Sequence, residues 1–248
     1  MEQPVRESFW NMPQPWTQIF LYVFLAAALA AFGYGLWRRI RLWKQGQPSL
    51  HLDHLGKRLA NVLRYALAQS KVAREAYPGL MHIAIFAGFV VLFIGTALIF
   101  INDDIVGPIF RWHYIRGGFY LGMETVLDLL GLFLVVGLGM ALLRRYIVRP
   151  ARLENRPDDA ITLGLLTFLG LGGFVQEGLR LAIQQPEWGT SSFVGYALGG
   201  LFAAMGANGA GGSAAYQVLW WVHALAGLGF VALVPYTRLF HLVTNPLN

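Results

Sequence analysis

The 248-residue chain is 56% hydrophobic and only 13% charged, about half the charge of an ordinary soluble domain, so a soluble globular class is excluded. It has no cysteine, which excludes disulfides, iron–sulfur ligation and thioether attachment of haem; redox chemistry here needs a non-covalent cofactor. The net charge of +6 reports topology in a chain this apolar, and nucleic acid is not an expected partner.

Five stretches are long and apolar enough to span a bilayer as helices. In chain order they run from about Thr17 to Trp37, Leu80 to Ile101, Gly118 to Leu143, Ile161 to Ile183 and Val218 to Leu242. The expected fold is an all-α integral membrane protein, a single membrane domain over 1–248 built as a five-helix bundle. The leader before the first span is not a basic signal-peptide region, and Arg38, Arg39 and Arg41 follow as an anchor. That stretch therefore reads as a retained span. Nine Lys and Arg lie in the first connection (38–79), five in the third (144–160), and Arg238 follows the last span; the opposite side has Arg6, Arg111, Arg116 and Arg180. The bias predicts an outside N-terminus and a cytoplasmic C-terminus.

Within the first connection, Leu52, Leu55, Leu59, Val62 and Leu63 recur at helical spacing, with Lys57, Arg58 and Arg64 off the stripe. An amphipathic helix over about 50–72 is expected, lying in anionic lipid headgroups or docking a cytoplasmic partner. The glycine-rich "MGANGAGGSAAY" (205–216) reads as a flexible loop.

Histidines carry the functional signal. His82 lies just inside the second span, and the last span holds His223 and His241. Eighteen residues of uninterrupted helix make about five turns, placing both rings on one face roughly 27 Å apart. His82 and His241 then share a depth at the cytoplasmic side, with His223 toward the outside. Imidazoles on facing helices make a bis-His site for haem b. Gly88 and Gly227 would let a macrocycle approach the backbone. Zinc is disfavoured, because no carboxylate or cysteine converges on these histidines.

Four charged residues fall inside the membrane, in the outer halves of their spans: Glu124 and Asp128 in the third, Glu177 and Arg180 in the fourth. Either they form an interhelical ion-pair network or they line a proton path and quinone head-group site.

The segments "VHALAGLGFVALVPYTRLFHLVTNP" and "MHIAIFAGFVVLFIGT", with "LRRYIVRPARL" and "GFVQEGLRLA", resemble the membrane cytochrome b (gamma) subunit of respiratory nitrate reductase. They are closer still to the membrane subunits of heterodisulfide-reductase-like and sulfite-reductase-associated complexes. The resemblance covers about residues 55–248. It implies a multi-pass protein of a prokaryotic cytoplasmic membrane, carrying haem b and passing electrons between a membrane quinone and a cytoplasmic iron–sulfur, heterodisulfide-reductase-like subunit.

By the same resemblance, His82 and His241 match the ligand pair of the cytoplasmic-side haem, and His223 matches one ligand of an outer haem. The position of that second ligand is Leu92 here. The outer haem is therefore absent, five-coordinate, or completed by another residue such as His113. His51 and His54 fall on the cytoplasmic connection. The chain's last residue, Asn248, predicts that the iron–sulfur partner is a separate polypeptide.

The leading expectation is an electron-transfer and anchor subunit of a quinone-linked oxidoreductase. A haem-free anchor for a cytoplasmic redox enzyme is the alternative. A transporter built on the four charged residues is disfavoured, because there are no inverted repeats or broken midplane helices.

Overall fold

The computed structural model describes residues 3–46, 54–151, 153–154 and 156–247. Apart from one isolated bridge between Val5 and Arg116, regular structure among these residues is helical. Five helical segments are long and apolar enough to cross a membrane: Trp16–Trp43, Ala76–Phe110, Gly117–Val148, Pro157–Gln184 and Ala210–Tyr236. All five predicted spans are present, and the chain is a multi-pass membrane protein. Their cores are the helices α1 (Trp16–Trp43), α3 (Ala76–Phe100), α5 (Gly117–Leu142), α6 (Pro157–Gln184) and α8 (Ala210–Leu233).

Contacts at the helix ends fix two faces of the bundle. At one end the N-terminal tail meets the start of α5 through the Val5–Arg116 bridge and the start of α8 through Asn11 and Ser213; this is the tail end. At the other, Arg39 of α1 donates to the Pro235 carbonyl at 3.1 Å. There Arg145, following α5, pairs with Asp159 at the start of α6 at 2.7 Å; this is the basic end.

Small residues set the helix spacing. A Cβ at Gly88 would lie 2.5 Å from the Leu130 carbonyl, and one at Gly137 would lie 2.9 Å from the backbone of Ile85. Glycine at both positions lets α3 and α5 pack backbone to backbone, the membrane alternative to a hydrophobic driving force. Gly88 is thus a packing glycine and offers no open face to a macrocycle, whereas Gly227 has nothing within 4 Å. The core at mid-bundle is built on Leu134, Leu138, Leu166, Phe230 and Val234, with Leu92 packed against it.

Several span ends lie a few residues from their expected positions, and at three places the difference changes the architecture. The second span continues past Ile101 as a π-helical turn, Ile101–Val106, and a single turn, α4 (Gly107–Phe110). Asn102 rewards that continuation: its side-chain oxygen accepts the amides of Tyr114 and Ile115 at 2.7 and 3.1 Å. The glycine-rich stretch is not a loop throughout. Helix α8 starts at Ala210, and Gly212 makes this possible because any Cβ there would overlap the Ala207 carbonyl.

The last span is also broken, because α8 ends at Leu233. Turns of 3-10 helix follow at Val234–Tyr236 and Arg238–Phe240, separated by extended Thr237, and His241 opens α9 (His241–Leu247). Pro235 explains the break, since it lacks an N–H and its ring clashes with the preceding turn. His223 and His241 therefore do not share one helical face.

A sixth apolar helix, α7 (Phe193–Ala204), is additional to the five expected. Gly178, Gly195 and Gly199 let it lie against α6, with Leu198 and Phe202 over Gly178. In the first connection, α2 (Leu55–Asn61) is followed by a π-helical turn, Val62–Leu67, and the run breaks at Gln69, whose φ is +52°. Leu55, Leu59, Leu63 and Leu67 are exposed there. Leu52 and His51 lie outside the described residues.

Candidate functional site

Two groups of predicted residues fall at different levels of the bundle. At the basic end, His82 sits two turns into α3, and its Nδ1 is buried with no hydrogen-bond partner. His241 begins α9 at the same end, next to Phe240, over whose ring Arg39 of α1 lies. The Nδ1 of His241 lies 2.7 Å from the Arg238 carbonyl. A carbonyl accepts only, so Nδ1 carries the hydrogen and Nε2 keeps its lone pair.

His223 stands apart from this pair. It lies near the middle of α8, about 20 Å along the helix from Ala210, and not toward one end as expected. Its ring faces α6, where a Cβ at Gly172 would be 3.2 Å from its Nδ1. That nitrogen is also buried without a partner. Leu92 offers only an apolar side chain packed in the core. His113 lies at the tail end, with Nδ1 3.3 Å from the Asn102 amide and 3.5 Å from Asp103. The structure does not bring it to His223.

The intramembrane charges form a network near the tail end. Arg180 clasps Glu177 with two bonds of 3.0 and 2.6 Å and lies 3.6 Å from Glu124. Glu124 also takes a 2.7 Å bond from Arg6 and a 2.9 Å bond from the Ser192 hydroxyl. Two arginines thus meet two carboxylates, which is the arrangement that makes burial of charge tolerable. Asp128 belongs to a different task. Its oxygens accept the amides of Val194 and Gly195 at 2.7 and 3.3 Å, so it caps the first turn of α7 from another helix.

The chain between α6 and α7 runs alongside α5 to reach that cap. Trp188 packs edge-on to Tyr120 at 5.1 Å, the Ser191 carbonyl takes the Thr125 hydroxyl at 2.9 Å, and Val194 meets Asp128. Position along α5 advances with position in the connection, so the segment, which includes a 3-10 turn at Gly189–Ser191, re-enters the bundle and returns as α7. The Tyr120 hydroxyl and Arg6 Nε in this region are buried without partners.

Arg6, Ser192 and Tyr120 join the site without being candidates from sequence. The sequence marks Arg6 only as an outer-side charge, and nothing local shows a tail residue reaching a buried acid 118 positions away. Among the described residues, no three His, Asp or Glu side chains gather with the spacing of a metal-ion centre; a haem asks for only two axial donors.

A membrane bundle with imidazoles inside its core, and arginines massed at one end, is the class this architecture defines. The chain belongs to the nitrate reductase gamma subunit family, whose model matches residues 107–248. It is 28% identical to the EtfAB:quinone oxidoreductase of Syntrophomonas wolfei, over 99% of this chain and 34% of that protein. It is 26% identical to the probable iron-sulfur-binding oxidoreductase FadF of Bacillus subtilis, over 93% of this chain and 32% of the relative. One component of the dihydromethanophenazine:CoB–CoM heterodisulfide reductase of Methanosarcina acetivorans is 26% identical, over 83% of this chain and 70% of that component. The chain thus spans about a third of the length of the first two relatives. No solved structure matches it.

Proposed function

We propose that this chain is the membrane cytochrome b and anchor unit of a quinone-linked oxidoreductase. It holds one haem b between His82 and His241 and exchanges electrons between a membrane quinone and an iron–sulfur unit docked at the basic end. The observation that carries the reading is the orphaned imidazole nitrogen of His82 at that end. His82 on α3 keeps a buried Nδ1 without a partner, and His241, 159 positions later, opens α9 at the same end with its Nε2 left free by the Nδ1 contact to the Arg238 carbonyl. A buried, unpartnered nitrogen such as the Nδ1 of His82 is costly unless something binds it.

His82 and His241 would be the axial donors, and haem iron so held supplies one-electron transfer. The protein's own part is to hold His82 within the bundle and to orient the exposed His241 ring through the Arg238 carbonyl. Leu92 in the apolar core leaves His223 without an opposing donor, so this reading has a single haem. Orientation follows the arginines, with the basic end cytoplasmic in a prokaryotic inner membrane.

The network of Glu124, Glu177 and Arg180, with Asp128 beside it, is the proposed place for quinone head-group and proton chemistry. What supports it is the free hydrogen-bonding capacity of the Tyr120 hydroxyl and Arg6 Nε next to two buried carboxylates. The named activities of the relatives, one on quinone and one iron–sulfur-binding, are consistent with that division of the bundle.

A dithionite-reduced minus oxidised spectrum of the purified protein, with a haem-to-protein ratio, tests the reading. The expected result is a b-type spectrum at one haem per chain, lost in His82→Ala and in His241→Ala and retained in His223→Ala. A flat spectrum from protein made with haem supplied would leave the haem-free anchor as the surviving reading.

A further inference from the structure

The segment that carries His241 is not part of a long helix, so something else must hold it. From α1, Arg39 donates to the Pro235 carbonyl at 3.1 Å and lies over the Phe240 ring at 5.2 Å, while Trp43 stacks on Phe240 at 5.9 Å. From the far side the ionic tie is Asp159. This carboxylate, with its side chain 10% exposed, takes Arg238 on one oxygen at 3.0 Å and Arg145 on the other at 2.7 Å. It also accepts the Arg156 amide at 3.2 Å as part of the capping box of α6. Asp159 is thus fixed by two helices before it touches Arg238.

Arg238 is also the residue whose carbonyl takes the Nδ1 hydrogen of His241. Its side chain is tied to Asp159 while its backbone orients the imidazole. We propose that Asp159 is a positioning residue for His241: through Arg238 it sets the turn whose carbonyl fixes the tautomer and plane of that ring. The inference rests on the reading of His241 as a haem ligand. A hydrogen bond on the distal ring nitrogen makes an imidazole a stronger donor and fixes its orientation. Stronger donation favours oxidised iron and lowers the midpoint potential. Loosening the turn should raise it.

Two substitutions separate this role from a plain charge effect. Asp159→Asn removes a negative charge and Arg238→Ala a positive one, so through-space electrostatics alone would move the potential in opposite directions. Positioning predicts that both raise it. Both should also broaden the low-spin ferric signal in electron paramagnetic resonance, which reports ligand-plane order, and Arg238→Lys should return toward the parent values.

The measurement is a redox titration and ferric resonance spectrum of the whole purified protein and these variants. Shifts of opposite sign, or no shift, overturn the proposal while leaving haem ligation intact. A parent protein without a b-type spectrum, or a His241→Ala variant that retains it, overturns the ligand assignment and the positioning role with it. If Asp159→Asn loses haem altogether, Asp159→Glu decides: the carboxylate should restore the parent signal, and failure to do so overturns the role.

Discussion

Arg6, in the N-terminal tail, reaches Glu124 inside α5 with a 2.7 Å ion pair across 118 positions of sequence. The tail is therefore a strap over one end of the bundle. From Arg6 it passes Asp103, in the π-helical turn after α3 and bonded to Ser8, and ends on α8, where Gln217 donates to the Asn11 carbonyl at 2.7 Å.

Removing that guanidinium leaves Glu124 buried against Glu177 with Arg180 alone to serve both. Arg6→Ala should cost about 1–3 kcal/mol, below the full figure for a wholly buried pair because Arg6 is partly exposed. Unfolding in mixed micelles measures it, and adding Glu124→Gln to Arg6→Ala should recover most of the loss. A double variant no better than the single one would mean the strap holds by its aromatic contacts instead.

Asp128 is expected to matter to α7 rather than to any ion pair. Asp128→Ala strips the acceptor from two amides and should destabilise the helix start by about 1–2 kcal/mol, the range of a lost N-cap. Hydrogen exchange at Val194 and Gly195 should accelerate while α5 amides keep their protection. Unchanged exchange at those two positions would contradict the cap.

Gly35 marks where α1 meets the broken end of the last span. A Cβ there would lie 2.7 Å from Pro235 and 2.8 Å from the Tyr236 ring, so Gly35→Leu must push the turn away. A loss of about 1–3 kcal/mol is expected for such overpacking, together with a lowered haem-to-protein ratio as the His241 segment shifts. A variant with parent stability and ratio would show that the turn has room to yield.

The absence of cysteine makes a clean test of orientation. With single substitutions and a membrane-impermeant maleimide on intact cells, Asn208→Cys at the tail end should label and Lys44→Cys at the basic end should not. The reverse pattern would overturn the positive-inside assignment.

The long helices are legible in the sequence because lipid leaves the backbone no other choice. Where the sequence expectation fails, a local signal is outweighed by a distant one. "VPYTR" announces a break through Pro235, but the apolar run around it extends the expected span to Leu242. The glycines at 205–216 suggest coil, yet Gly212 is there so that a helix start can lie against Ala207. α7 escapes notice because twelve apolar residues are too few for a span, and its N-terminus depends on Asp128, which lies on another helix. The grouping of Glu124, Glu177 and Arg180 follows from their shared depth. The entry of Arg6 does not, since tail residues carry no periodicity.

The re-entrant helix also gives the bundle a taper. α7 lies wholly in the half toward the tail end, where its first turn is level with Asp128 and Leu198 and Phe202 cover Gly178. Among the described residues six apolar helices thus share the half toward the tail end and five the other, so the bundle would take up more area in one monolayer than in its opposite.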